Sequence, residues 1–152
     1  MLPIEHIHPM IVHFPIVFGL SLAAFDLIVR LRGKPIGGRG TMANISVSLA
    51  LLAGISAMIA ATFGDMALGV ALAKGGPVAA LDFHDMLGST TSTVLAVWAA
   101  LRAAGWWFRV PLDGLRGAAV VAVELAFCAL ILATAFYGGQ LVYEYGVAIS
   151  HP

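Results

Sequence analysis

The sequence predicts an all-α integral membrane protein: a four-helix bundle crossing the bilayer four times, in a single domain covering residues 1–152. Three observations carry this. Of the 152 residues 61% are hydrophobic and only 11% charged, against about a quarter charged in a soluble domain. Mean hydropathy is +0.97. The apolar residues gather into long runs, each near the roughly 20 residues that a helix needs to cross the hydrocarbon core. None of these runs alternates polar and apolar residues, as the strands of a membrane barrel do.

The first run covers residues 10–29 and is closed by Arg30, Arg32 and Lys34, with GKPIGG making a turn. The second covers residues 42–63 and is followed by Gly64-Asp65. A loop rich in Gly and Ala then leads through Gly75-Gly76-Pro77 to a third run at residues 83–104. The fourth covers residues 117–137 and is expected to stop at Gly138-Gly139, a pair suited to a helix C-terminus. The N-terminal segment lacks the basic start and short apolar core of a cleavable signal, so it reads as a retained span. Small residues Gly54, Ala57 and Ala61 on the second span would permit close helix contact, and a homo-oligomer or larger complex is expected.

Basic residues set the orientation. Seven of the eight Lys and Arg fall at two connections: Arg30, Arg32, Lys34 and Arg39 after span one, and Arg102, Arg109 and Arg116 after span three. Only Lys74 lies between spans two and three. Both basic connections are therefore expected in the cytoplasm, and both termini on the outer, periplasmic side of a bacterial inner membrane. Trp98, Trp106 and Trp107 are expected at the cytoplasmic headgroup level.

This topology sorts the chemistry. His6, His8, His13, His84 and His151 all fall at the outer end, together with Glu5, Asp65, Asp82, Asp85 and Glu144. His13 and His84 begin different, parallel spans at similar depth. Two imidazoles facing one another in a helical bundle suit the axial positions of a haem. Gly88, a turn below His84, leaves room for a flat group. The same histidines with His8, and with His6, Met10 or Asp85 as further ligands, would instead hold copper or zinc. If the regular helix begins at Pro15, His8 replaces His13. The competing explanation for each histidine is an interfacial ring bonded to backbone. Gly88, Ser89 and Ser92 equally suit simple close packing. Deeper in the membrane, Asp26 has Arg30 four residues on as an ion-pair partner. Glu124 has no local partner and is expected to be neutral, or hydrogen-bonded to Thr41, Ser46 or Ser48.

HPMIVHFPI at residues 8–16, Gly64-Asp65, His84 at the head of span three, and GGQLVYEYGV at residues 138–147 together resemble the bacterial membrane-protein family DUF2231. The resemblance covers nearly the whole chain. It implies a four-span domain, found alone or joined to electron-transfer modules such as Rieske or cytochrome domains. It implies no established reaction. Tyr145 stands where the family's last motif usually has a histidine, so any ligand role of that position passes to Tyr145 or is lost.

The expected function is a small b-type membrane cytochrome. It would hold haem b through His13 and His84 and exchange electrons with a quinone or a periplasmic redox protein. The alternatives are a copper-, zinc- or iron-binding membrane protein and a non-catalytic scaffold subunit. Net charge is zero, so nothing points to nucleic acid. The single cysteine, Cys128, excludes an internal disulfide and a CxxCH haem attachment. No nucleotide loop, nucleophile triad or HExxH motif is present.

Overall fold

A computed structural model describes residues 4–147, which form five helices and, among the described residues, no strand. They are α1 (Ile4–Ile11), α2 (His13–Leu31), α3 (Thr41–Ala73), α4 (Val78–Trp107) and α5 (Gly114–Tyr143). Only Val12 separates α1 from α2, and it keeps helical dihedrals (φ −59°, ψ −22°). Pro15 lies in the first turn of α2, where its missing N–H breaks the ladder from Ile11 and marks the boundary between the two helices. His151 and the side chain of Glu5 lie outside what is described.

Around the bundle α2 packs on α3, α3 on α4, α4 on α5, and α5 closes on α2, while α1 leans against α3. Neighbours in sequence are thus neighbours in space, as short antiparallel connections require. The packing is that of a bundle in lipid. The buried positions of α3 are Ala43, Ser46, Val47, Ala50, Ala53, Gly54, Ala57 and Ala60, small residues that let backbones approach. Large apolar side chains such as Leu31, Ile55, Leu101, Leu132 and Phe136 point outward. Gly54 is used inside the chain: a Cβ there would stand 2.7 Å from Cβ of Ala99. The small-residue stripe expected to serve association is therefore already spent, at Gly54 and Ala57, within the bundle.

Three stretches are long and apolar enough to cross a membrane: His6–Leu31, Thr41–Ala73 and Gly114–Tyr143. The expected third span is not among them. α4 has the length, at 30 residues, but Asp82, His84, Asp85, the hydroxyl run from Ser89 to Thr93, and Arg102 dilute its apolar character. Several of these groups face inward: Thr91, Ser92 and Arg102 are buried.

Two expected helix ends also move. α3 does not stop at Phe63 but runs through Gly64-Asp65 to Ala73, and α5 runs through Gly138-Gly139 to Tyr143. These glycines are helical, and at Gly64 and Gly138 the missing side chain serves packing rather than termination, as shown below.

At the basic end the two connections are clipped together. The N–H of Ile36 donates to the carbonyl of Leu112 at 3.2 Å, and that of Gly38 to Val110 at 3.1 Å. Gly37 permits this approach, since a Cβ there would lie 2.5 Å from the Val110 carbonyl oxygen. Ile36 is 1% exposed and packs with Val29 and Val121. Arg30 spans the same join, donating to the carbonyls of Lys34 (2.9 Å) and Gly114 (3.2 Å).

Candidate functional site

The opposite end of the bundle holds a cavity of about 420 Å³ lined by residues of all five helices. Its walls are mostly apolar, with Ile16, Leu81, Leu95, Ile131 and Leu141 among them, and Asp65, Lys74 and Asp85 also line it. Below the histidines the Thr91 and Thr134 hydroxyls join α4 to α5 at 2.8 Å. Each hydroxyl also meets a carbonyl of its own helix, Leu87 at 2.7 Å and Leu130 at 2.9 Å.

His8 and His84 meet in this cavity. Their ring centroids are 6.3 Å apart, with planes inclined at 72°. Nδ1 of His8 is 3.0 Å from the carbonyl oxygen of Ala60 on α3. A carbonyl only accepts, so Nδ1 carries the proton and Nε2 keeps its lone pair. Nδ1 of His84 is buried without a hydrogen-bond partner among the described residues.

Each ring rests against a helical glycine. A Cβ at Gly64 would lie 3.1 Å from Cε1 of His8, and one at Gly138 would lie 2.8 Å from Cε1 of His84. The glycines that open Gly64-Asp65 and GGQLVYEYGV thus create seats for the two imidazoles. The sequence showed them, but as helix ends.

Of the residues expected at the site, His84 and Gly88 line the cavity, and a Cβ at Gly88 would meet nothing within 4 Å. His13 also borders the cavity, yet its side chain is exposed, as is that of Met10. At about 100° per residue, five positions carry His13 well round the helix from His8. The face of α1 that lies on α3 therefore presents His8 to His84. His6 is half-buried on α1, Asp85 is half-buried in the cavity wall, and Tyr145 is exposed. Among the described residues no three His, Cys, Asp or Glu side chains converge as a metal-ion site.

A second polar group lies in the other half of the bundle. Asp26, Ser46, Arg102 and Glu124, one from each of α2, α3, α4 and α5, are at most 5% exposed. Nη1 of Arg102 donates to Oδ2 of Asp26 at 2.8 Å and to Oε1 of Glu124 at 2.5 Å. Nη2 meets the Ser46 hydroxyl, which donates to Oδ2 of Asp26 at 2.8 Å. The indole N–H of Trp98 donates to Oε1 of Glu124 at 3.1 Å. Two expectations are corrected here. Asp26 pairs with Arg102, because Arg30 is engaged by loop carbonyls. Glu124 takes Arg102 and Trp98 rather than Thr41, Ser46 or Ser48. Arg102 accordingly belongs to the bundle interior and leaves the set of loop cations, and half-buried Trp98 turns its indole N–H to Glu124. The available signal was that Arg102 falls within residues 83–104, at a depth where a charge needs a partner.

Among curated proteins and among solved structures nothing matches the chain. The family described as a predicted membrane protein (DUF2231) matches residues 5–151. That match covers the histidine cavity and the buried ionic cluster alike, and with the apolar helices it settles the class: the chain is a membrane protein of the DUF2231 family.

Proposed function

We propose that the chain is a small b-type membrane cytochrome, and that His8 and His84 would hold haem b in the cavity. The observation that carries this reading is the 6.3 Å separation of the two rings. Two imidazoles brought this close from different helices, inside one largely apolar cavity, are the donor pair that a haem iron would take. Haem asks the protein for two donors only, because the macrocycle provides the rest of the coordination. Bare copper or zinc generally asks for three or four, and no third donor converges among the described residues.

The surrounding residues fit the group. The Ala60 carbonyl fixes the tautomer and direction of His8, which would leave Nε2 as the atom to hold a metal centre. Gly64 and Gly138 hold the rings close to α3 and α5, and the space beside Gly88 lies next to them. Ile131, Leu95 and Ile16 exclude water. When bound, haem supplies a one-electron couple, exchanged with a quinone or an outer redox protein. His13, exposed beside the cavity, is the weaker ligand in this arrangement.

The arrangement of basic residues supports an orientation. Arg32, Lys34, Arg39, Arg109 and Arg116 gather at the end remote from the histidines, which favours that end in the cytoplasm and the cavity on the periplasmic side of a bacterial inner membrane. The chain would work as a homo-oligomer or as a subunit of a larger redox complex. Absorption spectra of the purified protein, oxidised and reduced, test the assignment. Visible haem bands are expected in the wild type and in His13→Ala, and are lost or shifted in His8→Ala and His84→Ala. A wild-type protein without haem absorption that carries stoichiometric copper or zinc refutes it.

A further inference from the structure

The ionic cluster is independent of the histidine cavity and has an unbalanced charge. One guanidinium faces two carboxyl groups. Arg102 spends Nη1 on one oxygen of each, and the other two oxygens, Oδ1 of Asp26 and Oε2 of Glu124, are buried without a partner among the described residues. Two ionised carboxylates would leave one net negative charge and two bare oxygens where water is excluded, a costly combination. Among the described residues, the groups around them supply no second cation. Ser46 on α3 and Trp98 on α4 are neutral donors already in use. Cys128 lies one turn along α5 from Glu124, and Arg30 on α2 is held by the carbonyls of Lys34 and Gly114.

We propose that this cluster is a proton-binding site: Asp26 and Glu124 together hold one exchangeable proton, so the cluster is neutral when loaded and singly negative when empty. Loading converts one carboxylate to a carboxylic acid with a proton taken from water and gives one orphaned oxygen a donor. Asp26, Ser46 and Arg102 each sit about a turn and a half inside the basic end of their helices, so exchange runs through that end. A purely structural ion triad would need no proton. The excess carboxyl group is what distinguishes a loading site from a fixed bridge.

Infrared spectra of the purified full-length protein, from mildly acidic to mildly alkaline buffer, test this. The wild type is expected to show a buried carboxylic C=O band that shifts slowly in D2O and titrates as a single proton. Glu124→Gln and Asp26→Asn each leave one carboxylate against Arg102, a neutral pair, and should both lose that band. The Asp82→Asn/Asp85→Asn variant, altered at the other end of α4, should keep it. A wild-type protein with no such band overturns the proposal, whether or not the variants fold. So does a band that survives both single substitutions.

Discussion

Gly138 and Gly139 are adjacent on α5 but differ in what they face, and alanine scanning of the pair tests the histidine seat directly. In a helix interior Ala is about 0.8–1.0 kcal/mol more favourable than Gly, and both variants receive this gain. At Gly139 a Cβ meets nothing within 4 Å, whereas at Gly138 it stands 2.8 Å from Cε1 of His84. A contact under 3 Å forces the imidazole to move, and overpacking of this kind costs about 1–3 kcal/mol. The helix contribution cancels between the two, so Gly138→Ala should be less stable than Gly139→Ala by about 1–3 kcal/mol. In a chain of this size each kcal/mol corresponds to about 2–4 °C. Thermal unfolding of both variants in the same mild detergent measures the difference. A second readout, the imidazole resonances of His84, should move in Gly138→Ala alone. Equal stabilities with an unshifted His84 would refute the placement of that ring against α5, and the reading of the glycine motif with it.

Three other outcomes follow from the same geometry. Arg102→Met strands two carboxyl groups and should cost about 3–5 kcal/mol; a loss below 1 kcal/mol in thermal unfolding would show that the triad is not formed. Gly88→Leu should fold normally, since open space lies beside that position, yet reduce haem occupancy measured by absorbance. Unchanged occupancy would move the ligand elsewhere. A cysteine introduced at exposed Val78, at the start of α4, should react with an impermeant thiol reagent in intact cells, and labelling only after lysis would reverse the orientation.

The helical class and the long helices were legible because they rest on local quantities, length and apolar content, although α4 has the length of a span without the apolar content. The helix ends were less so. Gly64 and Gly138 carry the local signature of a terminus, but their neighbours in space are imidazoles from other helices, and pairing across helices leaves no mark in a window of sequence. The histidine pair shows the same limit. The sequence offers both His13 and His8 as partners of His84, but which of them turns inward depends on how α1 leans on α3. Arg102 was misplaced for a related reason: near a span end, an arginine in a loop and one reaching inward look alike until Asp26 and Glu124 are brought beside it.

The backbone clip at Ile36 and Gly38 has a mechanical consequence. It ties the α2–α3 connection to the α4–α5 connection, so helices on both sides of the bundle share one anchored end. Beside the cavity, by contrast, α1 is set off from α2 by a single residue. A bundle fastened at one end accommodates an incoming group by splaying at the other, each helix swinging about the clip. Backbone amide exchange should accordingly be slowest in α2 and α5 near the clip and rise toward the histidines, and ligand binding should slow it chiefly there.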